Sequence, residues 1–347
     1  MLRGALIGLG NVALDGHVPG WLASPDVALV AVTDVDDGRR AEAARRLPAA
    51  RWFDSVDRLL DADGLDFVDI CTPPASHAPL IERALQRGLH VLCEKPLVRS
   101  PAELATVTRL AAAGGRVLHT VHNWHHAPIV KRTSVLLGDG AIGRVARVVW
   151  HTLRMAPAAT RNGHAANWRL DPAIAGGGIL TDHGWHVFYV VQRWVGLRPA
   201  AISARLEKRR HAALAVEDTA SVTLTFPGGP TAEILLTWAA EERRNWAQLT
   251  GADGALELRD DTLVLARGGR TERWACPPAM SNGSTHPDWF VPVAAGFVDA
   301  VGGVADAVNL AEASLCVVLE HLARESSRCG GQVLTVPAAP VTSESPV

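Results

Sequence analysis

The stretch GGGILTDHGWHVFYVV, Gly176 to Val191, sets three glycines before an apolar segment that carries Asp182, His183 and His186. Burying an unpaired charge is expensive, so polar groups in such a segment are either well paired or used. Asp182 and His186 stand four residues apart. On an α-helix that spacing puts them on one face, where the carboxylate can hold the imidazole and stabilise its charged form. Imidazole titrates near neutrality, which suits it to take a proton from a hydroxyl or return one to a ketone oxygen. The glycines allow a close backbone approach ahead of the helix. Taken alone, the same residues also describe a capped helix whose Asp and His satisfy each other.

A second constellation lies at the start of the chain. Gly8-Leu9-Gly10-Asn11-Val12-Ala13 fits G-x-G-x-x-A between a strand pattern and a helix. Gly8 and Gly10 let the backbone turn tightly and approach a pyrophosphate, and Asn11 and Val12 open a helix whose free N–H groups favour an anion. Asp34 ends the next apolar run, VALVAVT, where its carboxylate can accept from an adenosine ribose and repel a 2′-phosphate. Arg39 and Arg40 just downstream can tolerate that phosphate. The cofactor expectation is NAD, with NADP open.

The elements that must position these groups fall into two patterns. Strand-like runs at 5–7, 27–33, 67–71, 91–93 and 117–121 alternate with helical ones, which means βαβ units and a parallel sheet. Ser100-Pro101-Ala102-Glu103 is a helix start, with a Ser cap and Pro in the first turn. Beyond residue 124 come a long strand at 145–152, a loop-like stretch to 178, a helix over 182–194, and strands at 201–206, 219–226, 231–238, 246–250, 255–258 and 263–266. Two helices follow, near 291–301 and 310–324. The expected fold is α/β: a Rossmann dinucleotide-binding domain over 1–123, then an α+β domain with a large, mostly antiparallel open sheet over 124–335. The tail 336–347 lacks apolar residues enough for a core and is expected to be disordered.

Charge is interspersed and the net is -2, so no basic stripe points to nucleic acid or an anionic membrane. No apolar run is long enough to span a bilayer, and MLRGALIGLGNV is too short and glycine-rich for a secretory leader, so a cytoplasmic protein is expected. The five cysteines are odd in number and widely spaced, without Cys-x-x-Cys, which argues against a disulfide framework or zinc site.

With GLGNV, CTPPASHAPL, CEKPL, NWRLDP and DHGWH in that order over residues 4–190, the chain resembles the Gfo/Idh/MocA oxidoreductases. The resemblance implies a Rossmann domain, and a C-terminal sheet that makes a homodimer or homotetramer. It also implies hydride exchange between a nicotinamide and a carbinol carbon of a sugar, cyclitol or sugar derivative. The family's Glu-Lys-Pro lysine falls on Lys95 and its Asp and His on Asp182 and His186. Lys95, at a strand's C-terminal end, would bring positive charge to a developing alkoxide. By the same resemblance Thr72, Pro73, His77, Glu94, Lys95, Asn123, Trp168 and Arg169 belong to the cofactor cleft, and Lys95, His122, Trp168, Asp182 and His186 lie near the substrate. Many relatives carry another Asp three residues after this His; here the position is Tyr189, the only tyrosine, which offers a phenol to a substrate or packs. That departure counts against a myo-inositol-like substrate.

Weaker signals remain. Arg154 and His164, in the loop region, are candidate substrate contacts. Trp168 and Trp185 can stack on a sugar face or be core. His119, His122, His125 and His126 cluster, but no carboxylate or cysteine nearby in sequence completes a ligand set, so no metal is expected. Two rival functions stay open on the same fold: redox-assisted glycoside cleavage that regenerates NAD, and a non-catalytic nucleotide-binding sensor.

Overall fold

In the computed structural model, residues 1–160, 167–283, 285–304 and 306–338 are described. His164 and positions 339–347 of the expected tail lie outside them.

Six strands form the first sheet: β1 (Leu2–Ile7), β2 (Val27–Thr33), β3 (Arg51–Trp52), β4 (Phe67–Ile70), β5 (His90–Cys93) and β6 (Leu118–Thr120). They are parallel, in the order β3-β2-β1-β4-β5-β6. The order reverses at β1/β4, which opens the crevice where such sheets bind ligands at their carboxyl ends. Helices on both faces explain why β1, β4 and β5 are almost wholly buried and read as continuous apolar runs. The helix Pro101–Gly114 starts as expected, with Ser100 Oγ accepting the Glu103 N–H at 3.2 Å. The two-residue strand β3 and the helix Arg40–Arg46 carry too little apolar pattern to have been read from sequence.

The second sheet has nine strands: β7 (Val145–Leu153), β8 (Ala201–Glu207), β9 (Thr219–Thr225), β10 (Thr231–Thr237), β11 (Arg244–Gly251), β12 (Gly254–Arg259), β13 (Thr262–Arg267), β14 (Arg270–Ala275) and β15 (Leu334–Thr335). Their order is β14-β13-β12-β11-β7-β10-β9-β8-β15, antiparallel except for β7 against β10. β14 and β15 were not expected; they are exposed edge strands without an apolar face. One face of this sheet buries Val148, Trp150, Val222, Ile234 and Leu236 against the helices Trp185–Val195 and Ala307–Arg328. On the other face Val149, His151, Thr223 and Leu235 are only partly buried, so among the described residues that face is open.

Two C-terminal segments return to the first sheet. The helix Pro287–Val301 sets Phe290, Val293 and Phe297 into the core that holds Trp21 and Phe67, with Phe290 and Trp21 edge to face at 5.4 Å. The ring of Phe290 passes so close to Gly20 that a Cβ there would sit 2.4 Å from it. Asn309, at the start of Ala307–Arg328, bonds both the N–H and the carbonyl of Thr120 at 2.9 Å, which pairs the edge strand β6 with a side chain.

Candidate active site

Lys95 follows β5, and its Nζ reaches across to donate to the Asp182 backbone carbonyl at 2.7 Å. It also lies 3.5 Å from the Asp182 carboxylate. Asp182 sits on a π-helical turn, Leu180–Gly184, that leads into the α-helix Trp185–Val195. Two glycines ahead of it permit the close approach expected. A Cβ on Gly178 would lie 1.9 Å from the Glu217 carbonyl, and one on Gly177 would collide with Arg324. Behind that contact, Arg324 pairs with Glu217 and Glu320 and donates to Thr181.

The expected pairing of Asp182 with His186 is corrected. Asp182 is bracketed by His183 Nδ1 at 3.2 Å, Lys95 and Arg169 Nε at 3.9 Å. Burial works to raise its carboxyl, but His183, Lys95 and Arg169 outweigh that and hold it well below the usual carboxylate range. The physical reason is the π turn: i→i+5 bonding breaks the i, i+4 register on which the pairing rested. His186 Nδ1 instead meets the Tyr189 hydroxyl at 2.9 Å, one α-helical turn on. Trp124 stacks flat on the imidazole, 4.5 Å between centroids. Burial first, then the Lys95 charge, lowers the His186 pKa well below its ordinary value, so the ring is neutral.

Tyr189 is corrected from a substrate contact to a buried residue. It is 0% exposed and its oxygen also accepts the Trp124 N–H at 3.0 Å. His122 is likewise buried, packed on the Tyr189 ring at 4.2 Å between centroids. Arg154 is turned into the sheet and donates to the carbonyls of Leu153 and Arg244 and to Asn245 Oδ1. Burial, then the neighbouring Arg243 charge, lowers its pKa to about 9. Trp185 is core, whereas Trp168 is only half-buried and carries the Arg169 guanidinium 4.3 Å above its ring. Lys95, Pro74, Trp168, Arg169, Thr181 and Asp182 line one small cleft. A wider depression of about 450 Å³ lies on the open face of the second sheet and contains none of the candidate residues.

The nucleotide end has the shape its motif requires. Gly8 has φ +92, and a Cβ there would press on the Cys71 backbone at 3.0 Å. At Gly10 a Cβ would meet nothing within 4 Å, so this side of the loop is open, as a pyrophosphate needs. Asn11 and Val12 begin the helical segment. Asp34 accepts the Leu9 N–H at 2.5 Å and the Asp36 N–H at 2.8 Å, which fixes the loop and leaves lone pairs for a ribose. Thr72 and Pro73 border the crevice at the end of β4, where Ser76 Oγ donates to Thr72 Oγ1. His77 is corrected: it is 0% exposed and its ring bridges the carbonyls of Thr72 and Pro96, tying two loops together from behind. Asn123, three residues beyond β6, opens a 3-10 helix and holds a buried, unpartnered Oδ1.

Sequence reasoning missed His17. It is buried, stacked on Phe290, and bridges two carboxylates: Asp69 at 2.8 Å through Nδ1 and Glu94 at 3.0 Å through Nε2. Trp21 adds a bond to Asp69 at 2.7 Å. Burial opposes charge on His17, but Asp69 and Cys71 raise its pKa well above the ordinary value. The readable signal was Asp69, a carboxylate in the middle of the buried strand FVDI, which must have a partner. The histidine cluster also needs a correction. Glu312, distant in sequence, accepts from His125 at 2.9 Å, lies 3.3 Å from His122 Nδ1, and binds Arg193 on its other oxygen at 3.0 Å. A carboxylate distant in sequence therefore does complete the set, and His122, His125 and Glu312 are a ligand-type triad.

Comparison with known proteins agrees with the geometry. Residues 2–122 match the family described as "Oxidoreductase family, NAD-binding Rossmann fold", and residues 130–257 match the GFO/IDH/MocA C-terminal domain. The chain is 33% identical over 263 residues to dTDP-3,4-didehydro-2,6-dideoxy-alpha-D-glucose 3-reductase of Streptomyces antibioticus, covering 74% of this chain and 75% of that protein. It is 28% identical over 294 residues to D-apiose dehydrogenase of Paraburkholderia graminis, covering 80% and 74%. Among solved structures, GenD2 from gentamicin A biosynthesis in complex with NAD superposes with a TM-score of 0.83 at 25% identity over 97% of each chain. The chain is a member of the Gfo/Idh/MocA family, an NAD(P)-dependent oxidoreductase with a Rossmann domain ahead of the family's C-terminal sheet domain.

Proposed function

We propose that this protein moves a hydride between NAD(H) and a secondary alcohol or ketone carbon of a sugar, cyclitol or sugar derivative. The observation that carries the reading is the placement of Lys95. It stands at the carboxyl end of a crevice strand, paired to Asp182 across the cleft lined by Trp168 and Arg169. The relatives support a sugar-type substrate: one is a D-apiose dehydrogenase, another a dTDP-3,4-didehydro-2,6-dideoxy-alpha-D-glucose 3-reductase.

In this reading Gly8, Gly10, Asn11 and Val12 hold the pyrophosphate, Asp34 the adenosine ribose, and Thr72, Pro73, Glu94, Asn123, Trp168 and Arg169 border the nicotinamide side. When bound, the nicotinamide supplies or accepts the hydride. Lys95 and His186 bind the reacting oxygen, and Asp182 keeps Lys95 in place. His17 anchors the Glu94 carboxylate from behind. The open face of the second sheet makes a homodimer or homotetramer. Neither redox-assisted glycoside cleavage nor a sensor role has an observation of its own in favour.

The test is a titration of cofactor-free protein with NADH and NADPH, followed by assays of D-apiose, D-glucose and myo-inositol with NAD and of keto sugars with NADH. NADH binding and turnover of a polyhydroxylated substrate are expected. Binding of neither nucleotide would overturn the reading.

A further inference from the structure

Tyr189 stands three residues after His186, one turn on along the helix Trp185–Val195. Its hydroxyl oxygen accepts the backbone N–H of Trp124 at 3.0 Å, and a backbone N–H can only donate. Its remaining polar contact is His186 Nδ1 at 2.9 Å. No other group among the described residues takes the phenolic proton, and the residue is shut off from bulk solvent. The phenolic hydrogen therefore points at Nδ1. A nitrogen that accepts carries no proton, so in the neutral ring the proton is on Nε2. Burial holds the Tyr189 phenol protonated and the imidazole uncharged, which is consistent with this arrangement. Nε2 has no partner among the described residues.

We infer that Tyr189 fixes His186 as the neutral Nε2–H tautomer, so that His186 donates a hydrogen bond to the reacting oxygen while Lys95 carries the proton. A carboxylate at position 189 would do the opposite: it would accept from Nδ1–H and leave Nε2 bare as a base. This inference rests on the oxidoreductase reading above. In the reductive direction the carbonyl carbon gains the hydride, and its oxygen takes a proton from the Lys95 ammonium, which becomes a neutral amine. His186 keeps its own proton, since giving it up would leave an imidazolate. The oxidative direction is the same step in reverse: the hydroxyl proton passes to the Lys95 nitrogen as the hydride leaves the carbon. Tyr189 is a positioning residue in this scheme; His186 and Lys95 are the groups that the proposed function sets against the reacting oxygen.

The experiment reads the tautomer directly. In ¹⁵N-labelled protein at neutral pH, with the His186 resonances identified by their loss in His186→Gln, Nε2 should be protonated and Nδ1 bare. Tyr189→Phe keeps the packing and removes the donor; it should shift the signal towards Nδ1–H. Turnover of the best substrate from the panel above gives the second arm. His186→Gln places a neutral amide N–H near Nε2 and should stay within about tenfold of wild type, whereas His186→Ala should lose roughly a hundredfold or more, as removal of an oxyanion donor does. An Nδ1–H tautomer in the wild type overturns the inference, and so does a His186→Gln enzyme as slow as His186→Ala. The resonance readout needs no substrate, so failure to find turnover would count against the proposed function and leave the tautomer result standing.

Discussion

Lys95 and Asp182 make a pair whose value depends on where each half comes from. One follows β5 of the parallel sheet, the other sits on the turn ahead of Trp185–Val195, and the carboxylate keeps the ammonium stretched across the cleft. Lys95→Ala should lower turnover by roughly 10²–10⁴-fold while nucleotide binding stays near wild type; the check is steady-state kinetics beside a nucleotide titration, and wild-type turnover would remove Lys95 from the reaction. Asp34 invites a similarly local test. Asp34→Asn still accepts the Leu9 N–H but loses the charge that opposes a 2′-phosphate. The NADH-to-NADPH affinity ratio should fall about tenfold or more, equivalent to ~1.4 kcal/mol. An unchanged ratio would mean that Asp34 serves the loop alone.

Elements matter most where they bring a group to the site from far away. The Phe290 helix caps His17 and closes a core with Trp21 and Phe67, so it belongs energetically to the first sheet although it follows the second. Phe290→Ala should cost about 3–5 kcal/mol in unfolding measurements, the usual range for a buried aromatic. It should also loosen the Asp69–His17–Glu94 bridge, seen as weaker nucleotide binding. The turn at Gly178 is constrained in another way. The Glu217 carbonyl occupies the space a methyl would need, so Gly178→Ala must push strand β9's approach away from the Asp182 turn. Loss of both stability and turnover is expected, read from melting curves and kinetics together.

Buried histidines set the pH response of the whole molecule. Burial lowers His119, His125 and His183 to about 4 each. For a group whose folded pKa is depressed in this way, the unfolded chain takes up protons first as pH falls below about 6.5. Stability is then full above that value and drains away down to about pH 4. His17 has the opposite sign: its raised pKa adds stability that is complete below about 6.5 and is lost only as pH climbs through the folded value. Asp182 and Glu312 have lowered pKa values, so their contribution is lost only below the ordinary carboxylate range. The melting temperature should therefore fall markedly between pH 7 and pH 5, before carboxylates titrate. A flat profile over that interval would show that these rings take up protons while the protein stays folded.

Sequence alone determined what local chemistry can determine. The periodicities gave a parallel sheet followed by a mostly antiparallel one, because burial on two faces and burial on one leave different patterns along a strand. The glycine loop, Asp34, and the capped helix after Ser100 were legible because each is specified by neighbours a few residues apart. Tertiary structure decided everything that joins distant stretches. It placed Glu312 between His122 and His125, gave Asp69 its partner in His17, and turned Arg154 and Tyr189 inwards. It also replaced Asp182 by Tyr189 as the partner of His186, because a π turn altered a register that the letters D-H-G-W-H do not reveal. Spacing along a chain fixes which side chains share a helix face only once the helix type is known. Which proton sits on which nitrogen follows only from the full set of donors and acceptors around it.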